Sequence, residues 1–169
     1  KALVTEVNSL IQHAVNSEAP QLEFDMHGER HFLNMRLNDA ILFTKNQYDK
    51  GIQNGSLGIL TSISQKDDIY GEVTLDTGVK IEVNQAVLDC MELGYAITLH
   101  KAQGSQFPRV IIALQKGRIV DRAWLYTAIT RAEVEVHIVG QSEFMKRTIK
   151  ASSNSKRRAS YLKTLLSLK

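Results

Sequence analysis

The hydrophobic pattern of the chain changes its period near residue 93, and that break restricts it to a composite fold. Upstream, Val73 and Leu75 alternate with polar residues, Asp76-Thr77-Gly78 turns the chain, and Val79, Ile81 and Val83 alternate with Lys80 and Glu82. Apolar stretches over 39–45 and 57–65 flank Asn54-Gly55, the dipeptide that most readily takes the positive φ values of a tight turn. Short alternating strands joined by turn signals predict a small antiparallel barrel over 39–92. Downstream, Val110–Leu114 is a continuous apolar run, as expected of a strand buried on both faces. Asp121 is placed to cap a helix carrying Trp124, Leu125, Ala128, Ile129 and Ala132 on one side. Val134–Val139 reads as a second strand, and Ser142 is placed to cap a last helix ending near Lys150. Strand, helix, strand, helix is the order of a parallel α/β layer.

Leu3, Val7, Leu10, Ile11, Ala14 and Val15 fall at helical spacing, which predicts an amphipathic helix over 2–16. Residues 17–38 are polar and carry no assignable pattern. The N-terminal helix and the region after 93 are expected to form one α/β domain over 1–38 and 93–150, interrupted by the β module at 39–92. Residues 151–155 read as a linker and Leu162, Leu165 and Leu166 as a short closing helix, making 151–169 a basic tail. A chain that opens inside a helix, without an initiator methionine, reads as a piece of a longer protein.

At 43% hydrophobic residues the chain has enough apolar content for a packed core, which excludes disorder over most of its length. No apolar run approaches the ~20 residues of a membrane span, so no membrane partner is expected. The single cysteine, Cys90, excludes an internal disulfide and a multi-cysteine zinc site, and fits a reducing, cytoplasmic setting. The 21 basic and 18 acidic residues are unevenly placed. Residues 146–169 hold eight of the basic residues and no acid, which leaves 1–145 at −5. A basic tail of this kind suits either a solvated helix face or the neighbourhood of nucleic-acid phosphates.

Two segments carry chemistry. In Tyr95-Ala-Ile-Thr-Leu-His-Lys-Ala-Gln-Gly-Ser-Gln-Phe-Pro108, a strand is expected to deliver Thr98, His100 and Lys101 to a polar loop at its carboxyl end. Hydroxyl, imidazole and ammonium donors clustered there suit phosphate oxygens, and Gly104 allows close backbone approach. In Leu125-Tyr126-Thr127-Ala128-Ile129-Thr130-Arg131-Ala132, Arg131 closes an otherwise apolar helix. A guanidinium there serves as a surface ion pair, a C-cap partner, or a cation steadying the charge on a transferring phosphoryl group.

Thr98-Leu-His-Lys-Ala-Gln-Gly-Ser together with Tyr126-Thr-Ala-Ile-Thr-Arg-Ala closely resembles motifs V and VI of the superfamily 1 DNA helicases, in their RecD-like and TraI-like branch. Asp39-Ala-Ile-Leu-Phe-Thr-Lys-Asn-Gln-Tyr-Asp with Asn54-Gly-Ser-Leu-Gly58 is similar to that family's entry into an SH3-like inserted barrel (2B), and Asn8-Ser-Leu-Ile-Gln12 to its motif IV helix. The resemblance covers roughly residues 2–150. It implies an α/β fold: a RecA-like parallel-sheet domain (2A) with the barrel inserted. It also implies an ATP-dependent 5′–3′ DNA helicase of the RecD (exodeoxyribonuclease V alpha) kind, acting in recombination, repair or conjugation.

By the same resemblance, Arg131 would be an arginine finger reaching ATP held by another domain. Thr98, His100, Lys101 and Gln103 would contact single-stranded DNA, and Gly104 and Gln106 the nucleotide. Tyr126 and Thr130 would support the arginine. Gln106 stands where the family usually has a Glu that touches the ribose, so that contact is expected to be altered. No G-x-x-x-x-G-K-[ST] occurs, and Asp67-Asp68 lies in a polar hairpin, unlike a Mg²⁺-binding pair after an apolar strand. ATP and Mg²⁺ would therefore belong to a first RecA-like domain outside this chain, which alone should be inactive. The expected partners are single-stranded DNA, that domain, and recombination or conjugation subunits. The alternatives are a non-catalytic single-stranded DNA-binding or regulatory domain of a conjugative relaxase-helicase, and an SH3-like interaction domain on an α/β base. The last leaves Thr98–Gly104 and Tyr126–Arg131 without a purpose.

Overall fold

A computed structural model describes residues 2–26, 29–66, 68–117 and 119–151. The linker from Ser152 and the closing helix expected in the basic tail lie outside the described residues, as does Asp67. The chain divides into two compact units, Lys1–Gln103 and Gly104–Lys169. Among the described residues no helix is long and apolar enough to cross a membrane.

The first unit opens with helix α1 (Ala2–Asn16), as the spacing of its apolar residues predicts. A hairpin follows, β1 (Gln21–Met26) paired antiparallel with β2 (Glu29–Arg36), in the region without an assignable pattern. Its Leu22, Phe24 and Met35 enter the core, and the Phe24 ring stacks on His31 with centroids 5.3 Å apart. Next come β3 (Ala40–Phe43), β4 (Leu57–Lys66), β5 (Ile69–Leu75), β6 (Lys80–Val83), a single-turn helix α2 (Gln85–Leu88) and β7 (Met91–Leu93). These strands form an antiparallel sheet in the order β6-β5-β4-β3-β7. Its core is built from alternating positions such as Val73, Leu75, Ile81 and Val83, so the period-2 pattern places one set inward and the other in solvent. Asn54-Gly55 and Thr77-Gly78 make the expected turns, with Gly55 at φ +99 and Gly78 at φ +84.

The second unit contains β8 (Phe107–Leu114), α3 (Arg122–Ile129), β9 (Ala132–Gly140) and α4 (Ser142–Lys150). Strands β8 and β9 pair in parallel, and the crossover between them is α3. Asp121 caps α3 as expected, its carboxylate accepting from Trp124 N–H at 2.8 Å. Ser142 does not cap α4: the cap position is Gln141, which makes no side-chain bond, and Ser142 is the first helical residue. The expected burial of 110–114 on both faces also fails. Ile112 and Leu114 are buried with Leu125 and Ala128 of α3, whereas Ile111 is 73% and Val134 80% exposed. An apolar run gives the polarity of a strand but not the number of layers that cover it.

Candidate functional site

In the first unit the site is built around one carboxylate. Asp39 follows a turn in which Asn38 takes φ +69, a left-handed value that asparagine tolerates better than most residues. The turn brings Asp39 into full burial at the start of β3, and a buried carboxylate requires donors. Four are supplied. Its Oδ2 accepts from Arg36 N–H at 2.7 Å and from the Gln12 amide. Its Oδ1 accepts from Asn16 Nδ2 at 2.6 Å and from the Tyr95 hydroxyl at 2.8 Å. Asn8, Gln12 and Asn16 are spaced by four, which puts all three on one face of α1. Asn8 grips the strand exit: its Nδ2 donates to Ala96 C=O and its Oδ1 accepts from Ala96 N–H, both at 2.8 Å. Read for apolar periodicity alone, α1 hides this polar stripe. The visible signal is the N-x₃-Q-x₃-N spacing.

Tyr95 and Ala96 thus fix the backbone just before the Thr98–Gly104 segment. That segment is a run of turns, with Thr98 C=O accepting from Lys101 N–H at 3.0 Å and from Ala102 N–H at 3.1 Å. Gln103 N–H donates to His100 C=O at 3.3 Å. Buried Ala102 anchors it, while the side chains of Thr98, His100 and Gln103 are exposed. Lys101 is half-buried and paired with Glu92 at 3.1 Å. The Asn54-Gly55 turn packs closely here: a Cβ on Gly55 would lie 3.2 Å from the Lys101 carbonyl oxygen. The expected location at the carboxyl end of a buried parallel strand is corrected. The strand before the segment is the three-residue β7, antiparallel to β3, and the parallel strand β8 begins only at Phe107.

In the second unit Gly104 has φ +88, and a Cβ there would meet nothing within 4 Å, so the conformation rather than space calls for glycine. Gln106 is exposed. Arg131 follows the last residues of α3 and folds back on it: Nε donates to Thr127 C=O at 3.3 Å and Nη1 to Ser105 C=O at 3.2 Å. Its own carbonyl accepts from Phe107 N–H at 2.8 Å. Arg131 therefore ties the end of α3 to the entry of β8. Thr130 joins it, its hydroxyl donating to the same Thr127 carbonyl at 3.0 Å. Tyr126 is 70% exposed. No carboxylate lies within 4.0 Å of Arg131 among the described residues, so its charge is not neutralised by an ion pair there.

The exposed hydroxyl of Thr98, imidazole of His100 and amide of Gln103 are groups able to donate hydrogen bonds to an anionic ligand. Among the described residues no group of three or more His, Cys, Asp or Glu side chains could hold a metal ion.

The Tyr95 phenol is pushed up to about 12 by burial, then by its hydrogen bond to Asp39 and the negative charge of that carboxylate. The folded unit holds the protonated phenol more firmly than the unfolded chain, where the value is 10.0. Its contribution to stability is therefore complete below pH ~10 and is lost as pH rises towards ~12. Urea midpoints should fall over that window in the native chain and fall less in Tyr95→Phe. Parallel curves for the two proteins would contradict this.

Residues 93–139 match the family model of the UvrD-like helicase C-terminal domain. The ATP-dependent RecD2 DNA helicase of Deinococcus radiodurans is 36% identical over 100 residues, covering 57% of this chain and 13% of that protein. The RecBCD enzyme subunit RecD of Buchnera aphidicola is 28% identical over 130 residues, covering 74% of this chain and 21% of that protein. The chain thus spans between 13% and 21% of the length of these two relatives. In fold it is similar to a Bacteroides Pif1 helicase solved with ADP-AlF3 and single-stranded DNA, with a TM-score of 0.60 at 19% identity. That likeness covers 99% of this chain and 44% of the other.

Proposed function

We propose that this chain, whose residues 93–139 match the UvrD-like helicase C-terminal domain and which is similar to RecD-like helicases, is a RecD-like superfamily 1 helicase segment that supplies one of the two halves of an ATP-driven DNA motor. In this proposal residues 1–38 and 93–150 act as the 2A domain, and 39–92 as an SH3-like 2B insertion. The observation that carries the proposal is the Thr98–Gln103 turn, pinned from behind by Asn8 and Tyr95 while its hydroxyl, imidazole and amide face solvent.

Phosphate oxygens of a single strand would accept from Thr98, His100 and Gln103. Lys101 would share its ammonium between Glu92 and the strand, since a solvent-facing ion pair contributes only about 0–1 kcal/mol and yields readily. Gly104 and Gln106 would approach a nucleotide, and Arg131 would reach its γ-phosphate. ATP and Mg²⁺ would be held by a separate RecA-like domain bearing the phosphate-binding loop, and their chemistry is phosphoryl transfer to water. Nucleotide-driven closing and opening of the two halves would let each grip the strand in turn, moving 5′ to 3′, and assembly with recombination subunits would follow the RecBCD relatives.

A single half of the groove, on a body at −5 over residues 1–145, should bind weakly. Fluorescence anisotropy with labelled oligothymidylate is expected to give a Kd of roughly 1–100 μM at physiological salt. The log–log salt slope should be shallow, near ~0.7 for each of a few phosphates. Tight binding indifferent to salt would overturn the proposal.

A further inference from the structure

The loop after β3 displays an aromatic ring that packing does not use. Tyr48 is 76% exposed, yet the backbone beneath it is firmly held. Gln47 and Ile52 exchange both backbone hydrogen bonds, at 2.9 and 3.0 Å, and Ile52 is fully buried. Between them Tyr48–Lys50 makes one 3₁₀ turn, closed by Gly51 at φ +72. The hydroxyl is anchored as well, accepting from Asn46 Nδ2 at 2.8 Å. Asn46 Oδ1 in turn accepts from Asn54 N–H at 2.6 Å. Asn54 begins the turn whose Gly55 lies against the Lys101 carbonyl. A short series of contacts within one compact unit therefore connects the Tyr48 ring to the Thr98–Gln103 turn.

The charges of the loop agree with an anionic strand. Lys45 is exposed, Lys50 donates to Asn84 Oδ1 at 3.2 Å, and neither has a carboxylate within 4.0 Å among the described residues. Asp49 is the one acid of the 45–50 loop. A firmly mounted, exposed ring in a loop whose ammonium groups have no carboxylate within 4.0 Å among the described residues has the make-up of a single-strand contact, in which bases stack on aromatic faces and lysines follow the backbone.

We propose that Tyr48 is a stacking platform for one base of a single-stranded nucleic acid whose phosphates pass over the Thr98–Gln103 turn. This rests on the strand-binding role proposed above for that turn. The test uses the chain as it stands, with an oligothymidylate carrying one 2-aminopurine and a fluorescent end label. Tyr48→Leu should weaken binding roughly tenfold, the effect of losing one base stack, and should remove the change in 2-aminopurine emission on binding. Tyr48→Phe should keep both. Circular dichroism and melting should be unchanged, because the ring is exposed.

If Tyr48→Leu binds and quenches like the native chain while Thr98→Ala weakens binding, the platform is disproved and the role of the turn stands. If Tyr48→Phe loses as much as Tyr48→Leu, the hydroxyl and not the ring is responsible, and the platform is again disproved. If the native chain binds no oligonucleotide even at low salt, both proposals fall.

Discussion

Replacing Arg131 by alanine, in a protein that joins this chain to an ATP-holding domain, is expected to lower kcat for DNA-stimulated hydrolysis by roughly 10³–10⁵, or about 4–7 kcal/mol. The KM for ATP should change little. The charge that the guanidinium would meet develops as the γ-phosphoryl group leaves, so its loss is felt in the transition state and not in binding. Two features of the Arg131 environment underlie this expectation. Its anchors, Thr127 and Ser105, are neutral carbonyls, so the cation keeps its full charge. With Nε and Nη1 so engaged, Nη2 makes no hydrogen bond among the described residues and is free to donate. Arg131→Lys should rescue little, because an ammonium cannot hold both carbonyls and a phosphate oxygen at once. A purely architectural arginine predicts another pattern: about 1–2 kcal/mol of lost stability in the second unit and near-normal turnover. A fall in kcat of less than tenfold would favour that role.

Asp39→Ala is expected to cost the first unit on the order of 3–5 kcal/mol, enough to leave it barely folded given a typical total of about 5–15 kcal/mol. The substitution deletes one acceptor but strands four donors, from Gln12, Asn16, Arg36 and Tyr95, in a site with no exposure. Each buried donor left without a partner carries a penalty of ~1–3 kcal/mol, which local rearrangement relieves in part. Asp39→Asn should cost less, since one oxygen survives, though its new N–H₂ faces two donors. Urea titration of the chain gives the difference directly, and a loss below ~1 kcal/mol for the alanine variant would show that the network is dispensable.

How much of this was legible follows from the range of the interactions involved. Helix α1, the β5–β6 hairpin and the Asp121 cap are local: Asp121 reaches only three residues ahead, so spacing and residue type suffice. The hairpin over 21–36 escaped because its inward residues, Leu22 and Phe24 on one strand and Met35 on the other, are few and set among charges. The one-sided burial of β8 depends on which elements lie over the strand, which an apolar run does not encode. The Asp39 cluster joins residues 27, 23 and 56 positions apart, beyond any window in which periodicity is read. Thr98, His100, Lys101, Gln103 and Arg131 stood out as a motif, but what holds them in place did not.

The Asn8–Ala96 clamp joins residues 88 positions apart, and so acts as a staple across the mouth of a long chain excursion. The entropy of closing such an excursion rises only as the logarithm of its length, by about 0.6 kcal/mol for each doubling. The loops of the β module between the two anchors can therefore be lengthened or trimmed at little cost in closure entropy, provided that its core strands are kept and Asp39 and Ala96 still return to α1. The same arithmetic makes the closure kinetically late, since contacts of long sequence separation form after local ones. Variation within 39–92 that spares Asp39, the Asn54-Gly55 turn and Glu92, which touch Tyr95 or Lys101, should therefore leave the geometry of the Thr98–Gly104 turn intact, giving a lineage room to alter what the strand meets beside the turn without altering the turn itself.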